Sequence, residues 1–415
     1  MKSEVLDIVL DILDKNNNKI KPFEFTYRVL KLLTKKQLID VVEGEKYKYD
    51  INDKKYLVAD GKFTKICIGD DYNFIFDKRN GNFKRWGKTY DEDPQFSPIG
   101  PEIYDCEVTT ICNGITQSNG KESPCAFCYK SNTINGKNLL FDDFKKMLDI
   151  FPKTLTQIAF GSDSKATSNP DLWKMMEYCR EKGVIPNITV ADISDEVADK
   201  LKEYCGAVAV SRYSNKDICY DSVKKLATNR RMKQINIHSL LSEETFDLCM
   251  ETVKDMKNDK RLKNMNAIVF LGLKKKGRAK DNFNIVSLDK FDELISYCLN
   301  NNIRFGFDSC SAPRFEKFVK GKKDMFDSLR QQLLECSESC ESGLFSFYTS
   351  VDGAYFPCSF TENENNWKDG ISLLKSQDFL KDIWYSKKNN KWRENLLNTC
   401  KDGCRKCLTF PEINV

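Results

Sequence analysis

Between residues 103 and 307, segments with the periodicity of β-strands alternate with segments with the periodicity of α-helices. The strand-like runs are short and rich in Val, Ile and Phe, and the stretches between them are amphipathic. Repeated β-then-α units predict a parallel sheet, either open or curled into a partial or full barrel. We therefore expect an α/β fold. In such folds, ligands gather at the carboxyl ends of the strands.

Seven strands and the helices between them can be placed from the sequence. The strands are predicted near 103, 155–161, 184, 206, 234, 266 and 303. Helices are predicted near 195–204, 219–229, 243–258, 288–301 and 315–334. A further helix is expected to begin at Asn169-Pro170 and to end at Gly183, and Ser194 is a natural N-cap for the helix at 195.

The two ends of the chain differ from this pattern. Before it, we expect helices near 3–14 and 23–42, then β-hairpins over 63–90 with a type I′ turn at Asn80-Gly81. Two helices followed by a hairpin permit a winged-helix-like module, as they permit many other small domains. The predicted domains are an N-terminal accessory α+β domain over 1–98, a core over 99–312, and a small Cys-rich domain over 313–415.

The number and clustering of cysteines limit the possible classes of function more than the net charge does. The chain has 17 cysteines, one histidine and a net charge of only +5, which is too weak to predict nucleic-acid binding. We see no signal peptide and no apolar run long enough to span a membrane, so we expect a cytoplasmic protein without a membrane partner. Clustered cysteines in such a compartment favour metal or catalytic roles over disulfides.

Three cysteines follow the first strand, in the stretch ICNGITQSNGKESPCAFCYK; they are Cys112, Cys125 and Cys128. An iron–sulfur cube normally takes four cysteine ligands. A cube held by three would keep one iron free for another ligand, as catalytic zinc keeps an open position. A zinc knuckle is the alternative, and Cys106 is a competing first ligand, although it lies within the strand.

The spacing Cys112-x12-Cys125-x2-Cys128, with Phe127 before the third cysteine, resembles the radical S-adenosylmethionine (SAM) superfamily. Members usually have C-x3-C-x2-C, so the first gap here is longer. The resemblance implies a partial (β/α)6 barrel, a [4Fe–4S] cluster on these cysteines, and SAM bound to its open iron. The cofactor would then supply a 5′-deoxyadenosyl radical that takes a hydrogen atom from the substrate.

The same resemblance implies residues that bind SAM, among them Phe127. Gly161, Ser162 and Asp163 stand where the family has a Gly-Gly-Glu-Pro-like element that holds the amino group of SAM. Ser211 matches a serine near the ribose, and Asn236 is a further candidate for that pocket. An ordinary turn between strand and helix is the alternative for 161–163.

Six more cysteines lie near the end of the chain; they are Cys336, Cys340, Cys358, Cys400, Cys404 and Cys407. The pattern Cys340-x12-Gly353-x4-Cys358 resembles the start of the twitch and SPASM domains, which hold auxiliary iron–sulfur clusters. The ligands that this implies for one cluster are Cys340, Cys358, Cys404 and Cys407. Cys336 and Cys400 are alternative ligands, or parts of a less favoured second cluster. Taken alone, the tail also fits a zinc ribbon.

Four further features have competing explanations. Cys310, just past the last strand, could donate hydrogen to a substrate radical, ligate an auxiliary cluster, or be a buried thiol, and Asp308 beside it could act as a base. Lys274–Lys276 and Arg278 lie in LKKKGRAKDN, which resembles a Gly-Arg-Ala segment of relatives with an extra cysteine domain; a solvated basic loop is favoured. For His238, a core or rim position is favoured over a general base.

Together, these patterns predict a radical SAM enzyme that oxidises, cross-links or otherwise modifies a peptide or protein side chain. Oxidation of a small alcohol or sugar is one alternative, and peptide epimerisation with Cys310 as hydrogen donor is another. The expected partners are the substrate and a single-electron donor such as flavodoxin or ferredoxin. The alternative from another class is a non-catalytic zinc protein that uses both cysteine groups for folding and partner binding.

Overall fold

The computed structural model describes Ile39, Val42, Met232 and residues 44–116, 120–228, 234–401 and 403–414. The chain divides into two compact units. The first comprises residues 1–102 and 152–156, and the second comprises residues 103–151 and 157–415. The helices predicted near 3–14 and 23–42, and with them the winged-helix interpretation, lie outside the described residues except for Ile39 and Val42.

The first unit contains a five-stranded antiparallel sheet in sequential order. Its strands are β1 Gly44–Ile51, β2 Lys54–Gly61, β3 Thr64–Gly69, β4 Asn73–Asp77 and β5 Phe83–Trp86. Alternating apolar residues bury one face, where Ile66 and Trp86 pack with Ile39 and Val42. On Glu102, one carboxylate oxygen accepts a hydrogen bond from the Tyr72 hydroxyl at 2.5 Å and the other pairs with Arg85 at 2.8 Å.

The hairpin predicted around Asn80-Gly81 is present, but its turn differs from the type I′ prediction. The loop between β4 and β5 spans residues 78–82, and of the two central residues only Gly81 has a positive φ, at 74°. The amide of Gly81 donates to the Asp77 carbonyl at 2.8 Å. A type I′ turn needs positive φ at both positions, so this longer loop uses glycine alone to reverse the chain.

The second unit is built on a ten-stranded sheet. Its order is β14-β13-β12-β11-β10-β9-β6-β15-β16-β17. The strands are β6 Ile103–Glu107, β9 Gln157–Gly161, β10 Ile185–Val190, β11 Ala207–Ser211, β12 Gln234–Leu241, β13 Ala267–Gly272, β14 Phe305–Phe307, β15 Ser346–Thr349, β16 Ala354–Phe356 and β17 Ile371–Ser372. Within this sheet, β6 and the six strands β9 to β14 pair in parallel throughout, which confirms an α/β core with a parallel sheet.

Helices alternate with these strands and cover the sheet. They are α1 Phe141–Ile150, α2 Leu172–Glu181, α3 Asp195–Tyr204, α4 Lys216–Ala227, α5 Phe246–Asn258, α6 Leu288–Asn300, α7 Ala312–Gly321, α8 Asp327–Glu335 and α9 Lys387–Leu397. Ser194 caps α3 as predicted, because its hydroxyl accepts from the Val197 amide at 3.2 Å. Helix α2 begins two residues later than expected, and Asn169 accepts from the Asp171 amide at 2.9 Å.

The segment predicted to be a separate C-terminal domain shares the sheet of the core. Strand β15 pairs in parallel with β6, so that Ser346 lies opposite Ile103 and Thr349 opposite Cys106. Strands β16 and β17 then continue the sheet in antiparallel fashion. This pairing brings the cysteines of the tail to the same sheet that carries the first cysteine group.

Among the described residues, no helix combines the length and the apolar character that a membrane crossing requires.

Candidate active site

The first cysteine group lies in the cluster loop, defined as residues 108–140 between β6 and α1. The two ends of this loop meet, since the Leu139 amide donates to the Val108 carbonyl at 2.9 Å. The buried side-chain amide of Asn169 donates to the carbonyl oxygens of Val108, at 2.7 Å, and of Leu139, at 3.0 Å. Asn169 therefore fixes the base of the loop at the carboxyl end of β6.

The loop brings the three predicted thiols together. The Cys112 amide donates to the Thr133 carbonyl at 2.9 Å, and the Cys128 amide donates to the Cys125 carbonyl at 3.3 Å. Burial raises the pKa of Cys125 to about 12, and the neighbouring Cys128 and Cys112 thiols raise this pKa further. The Gly114 amide also donates to the Cys112 sulfur at 3.3 Å.

Two short strands pair in antiparallel fashion within the 12-residue segment between Cys112 and Cys125. Strand β7, Ile115–Thr116, pairs with β8, Glu122–Ser123, and Ile115 lies opposite Ser123. A Cβ on Gly114 would lie 1.9 Å from the Ser123 carbonyl oxygen, so only glycine permits this approach. Because the strands pair at their base, Cys112 and Cys125 return to each other although 12 residues separate them.

Cys106 lies on the other side of the sheet. It is 1% exposed, and it interacts electrostatically with Cys179 of helix α2. Cys106 is thus a buried thiol of the strand, and Cys112 stays the predicted first ligand. The thiols of Cys67, Cys179, Cys205, Cys219, Cys249 and Cys298 are likewise buried, as expected for core residues.

Aromatic residues border the cysteine group. Phe127 lies between Tyr213 and Phe283, with ring centroids at 5.6 and 5.8 Å. The Tyr213 hydroxyl hydrogen-bonds with Cys125 and Ser211, and burial followed by the charge of Cys125 raises the pKa of Tyr213 well above its ordinary value. The sequence analysis did not identify Tyr213, whose only signal is its position two residues beyond Ser211.

A small, shallow cleft opens at the carboxyl ends of β9, β10 and β11. Its lining includes Ser164 after β9, Asp192 after β10, and Ser211 and Tyr213 at the end of β11. Tyr213 joins the cleft to the cysteine group, because its hydroxyl contacts Cys125. Asp192 accepts from the Thr116 hydroxyl at 2.9 Å, so the β7–β8 pair forms one wall.

The turn predicted to hold the SAM amino group lies beside this cleft. A Cβ on Gly161 would have only ordinary contacts, the nearest at 3.6 Å, so the fold leaves space there. The Asp163 carboxylate is 5% exposed and accepts from the amides of Lys165, Thr167 and Ser168 at 3.0–3.4 Å. Asp163 thus holds the turn that presents Ser162 and Ser164.

Asn236 is farther from the cleft than predicted. In the sheet, Ser211 lies opposite His238, so Asn236 is two residues closer to the amino ends of the strands. Its side-chain oxygen accepts from the Asn266 amide group at 3.1 Å. His238 faces a poorly solvated interior, where burial lowers its pKa to about 4. A neutral imidazole at neutral pH agrees with the expected core or rim role.

The basic segment 273–282 is not the solvated loop that was favoured. Arg278 donates from its backbone amide to the Cys128 carbonyl at 3.1 Å and from its guanidinium to the Cys125 carbonyl at 2.8 Å. Lys276 donates to the carbonyls of Phe360 and Glu362, the former at 2.9 Å. The number of lysines and arginines in a segment does not show whether their side chains bind backbone carbonyls or extend into water. The prediction of a solvated loop was wrong for this reason.

Asp308 and Cys310 lie at the end of β14, as expected. Asp308 forms an ion pair with the buried Lys274 and accepts from the Ser311 hydroxyl at 2.6 Å. The neighbouring Cys407 thiol and burial raise the pKa of Cys310 above its ordinary value. Cys336 is exposed, and Cys400 is partly exposed.

The three thiols of Cys112, Cys125 and Cys128 are chemically suited to binding an iron–sulfur cluster. Among the described residues, no three His, Cys, Asp or Glu side chains converge closely enough to hold one metal ion. A four-iron cube fills a volume, so its thiolates must stand around it, and soft thiolates are its usual ligands. Three neighbouring thiols beside a cleft agree with that requirement.

Of three comparisons with known proteins, one found a similar fold. No protein-family model matches the sequence, and no curated protein matches it. Among solved structures, the chain is similar to SuiB from Streptococcus suis, with a TM-score of 0.52 and 12% sequence identity. The similarity covers 75% of this chain and 77% of the SuiB chain. At this level of identity, the comparison shows a similarity of fold alone.

Proposed function

We propose that this chain is a radical SAM enzyme that modifies a peptide or protein side chain. The observation that carries the proposal is the grouping of Cys112, Cys125 and Cys128 at the carboxyl end of β6, beside a cleft at the carboxyl ends of three further strands. The structural similarity to SuiB supports an enzyme of the radical SAM, peptide-modifying kind. We also propose that the sheet curves into a partial barrel, that the cluster is of the [4Fe–4S] type and that the substrate is a peptide or protein.

The chain's own residues would hold and orient the cofactors. When bound, SAM and a reduced [4Fe–4S] cluster supply a 5′-deoxyadenosyl radical that takes a hydrogen atom from the substrate. Gly161 leaves room for close approach to the sheet edge, and Ser162 and Ser211 offer hydroxyls there. Phe127 packs with Tyr213 and excludes water from the thiols. We assign Asp163 to positioning this turn.

The proposed reaction is an oxidation or a cross-link. The substrate would lose one hydrogen atom to the radical, one electron and one proton. The tail cysteines would hold an auxiliary cluster that supplies one-electron redox chemistry, with a flavodoxin- or ferredoxin-like protein as the partner for electron exchange, and Asp308 is the candidate base for the proton. Epimerisation would need Cys310 as a free hydrogen donor.

The first test is SAM cleavage by the protein purified without oxygen. We expect a brown protein with about eight irons per chain if two cubes are full, which forms 5′-deoxyadenosine when reduced. Changing Cys125 and Cys128 to alanine should abolish cleavage. Cys67→Ala, the same change at a thiol outside both cysteine groups, should leave it unchanged.

The outcome also separates the enzyme from a zinc protein. A colourless protein with stoichiometric zinc, which does not cleave SAM after reconstitution with iron and sulfide, would contradict the proposal. Small alcohols or sugars that are oxidised, while peptides are not, would support the alternative substrate class.

A further inference from the structure

We propose that Asp105, in the middle of strand β6, is the base that takes the substrate proton, in place of Asp308. This inference deepens the proposed function and rests on it, because the substrate loses a proton only if it is oxidised or cross-linked. In a cross-link, one C–H bond gives its hydrogen atom to the radical. One N–H, O–H or S–H bond gives its proton to Asp105, the bond between the two atoms forms, and the remaining electron passes to an oxidised iron–sulfur cluster.

Asp105 lies on the same face of the sheet as the turn predicted to hold SAM. Tyr104 and Cys106 are buried on one face of β6, so Asp105 and Glu107 point to the other face. The parallel register places Glu107 opposite Gly161, the first residue of that turn. Asp105 is therefore one step on the same face, roughly 7 Å along the strand, from the level of Gly161.

Small side chains leave room beside Asp105. Across the sheet, Asp105 lies opposite Ala159 of β9, Ala159 opposite Asn187 of β10, and Asn187 opposite Ala207 of β11. Both alanines keep accessible surface although they belong to inner strands of a ten-stranded sheet, and Asp105 does so too. A row of partly accessible residues on inner strands lines a space that a ligand can enter.

The Asp105 carboxylate is open to such a ligand. Among the residues that the structure describes, none forms a hydrogen bond or an ion pair with it. Burial raises the pKa of Asp105 to about 7, so that about half of these groups are ionised at neutral pH. A general base is most effective when its pKa lies near the working pH. Position and ionisation thus both suit Asp105 to proton removal.

Two other carboxylates in this unit are already occupied. Glu107 forms an ion pair with Lys130 at 3.0 Å. Asp308 forms an ion pair with Lys274 and accepts from the Ser311 hydroxyl at 2.6 Å. A base must come within hydrogen-bond reach of the proton that it takes, and these partners occupy the oxygens that would do so. Of the three carboxylates, Asp105 alone offers both oxygens.

The first measurement follows the protonation of Asp105 in the purified protein. Infrared spectra of the wild type and of Asp105→Asn should differ by a protonated-carboxyl band that disappears as the pH rises through about 7. The groups that face Asp105 are Glu107 with its partner Lys130, Tyr129 of the cluster loop and Tyr348 of β15. All of them remain in the variant, so their bands cancel. A difference spectrum without a band that titrates near 7 would overturn the proposal.

The second measurement separates proton removal from hydrogen abstraction. The probes are peptides from which the wild-type protein removes two hydrogen atoms, and Asp105→Asn should lower the rate of that product about 100- to 10,000-fold. Formation of 5′-deoxyadenosine should continue, because the hydrogen atom leaves before the proton. Asp199→Asn, the same change at a side chain that is 73% exposed, should alter neither rate.

The other outcomes are equally decisive. Product formation that is unchanged in Asp105→Asn and lost in Asp308→Asn would return the role to Asp308. Circular dichroism checks that each variant folds, and Asp105→Glu, which keeps a carboxylate, should restore part of the product; no recovery in a folded Glu variant would contradict a role as base. A wild-type protein that forms no 5′-deoxyadenosine would refute the proposed function, whereas an active Asp105→Asn variant would refute only the assignment of Asp105.

Discussion

At the scale of single residues, contacts of the backbone decide how the cysteine group is held. Gly277 has a φ of +59°, and a Cβ there would lie 2.5 Å from the carbonyl oxygens of Cys128 and Tyr129. Both the left-handed conformation and the close approach require glycine. The neighbouring Arg278 can then reach the Cys125 and Cys128 carbonyls, so the glycine and the arginine act together.

Gly277→Ala should therefore destabilise the protein and loosen the first cluster. Strain in the left-handed region and the clash with backbone atoms should together cost roughly 2–5 kcal/mol of unfolding free energy. Urea denaturation and the rate of iron loss to a chelator measure the two effects. Gly321→Ala is the control, since a Cβ there would meet nothing within 4 Å. Equal behaviour of both variants would refute the role of Gly277.

His238 gives a second prediction at this scale, because it is the only imidazole in the chain. Burial lowers its pKa from 6.5 to about 4, so the unfolded chain binds a proton before the folded one does. The stability that His238 contributes is present above pH 6.5 and is lost as pH falls toward 4, by at most about 3 kcal/mol.

The His238→Gln variant should accordingly show a weaker loss of stability between pH 6.5 and 4 than the wild type. Thermal unfolding at several pH values measures this difference. A proton resonance of His238 that titrates near 6.5 in the folded protein would contradict the prediction.

At the scale of elements, one lysine joins three segments of the second unit. Lys130, in the cluster loop, pairs with Glu107 at the end of β6 at 3.0 Å and also with Glu362 after β16. It donates to the Tyr348 hydroxyl of β15 at 2.6 Å. Glu107 is 4% exposed, so these charges are stabilised by one another and not by water.

Lys130→Met should leave two poorly solvated carboxylates without their cation and lower the unfolding free energy by roughly 3–5 kcal/mol. The matched control is Lys137→Met, which breaks the exposed pair with Asp352 and should cost about 1 kcal/mol or less. The unfolding free energies of both variants, measured by denaturation at one salt concentration, test this prediction. A cost for Lys130→Met as small as that of the control would show that water compensates the carboxylates.

At the scale of the whole molecule, the sequence predicted elements better than their long-range contacts. Hydrophobic periodicity located β6 and the strands β9 to β14, and capping residues located helix α3, because these signals are local. The parallel pairing of β15 with β6 has no local signal, since the partners are more than 200 residues apart. Likewise, spacing identified Cys407 but could not reveal that its neighbour would be Cys310.

The β7–β8 pair has a consequence for how such sites are recognised. The distance in space between Cys112 and Cys125 is set where the two strands meet, at Ile115 and Ser123, and not by the number of residues beyond that point. Adding residues two at a time would lengthen the ribbon and keep the same side chains facing the cleft. The number of residues between Cys112 and Cys125 can therefore change without moving the two thiols. A search that requires a fixed spacing would overlook proteins whose thiols have the same positions but whose gap has another length.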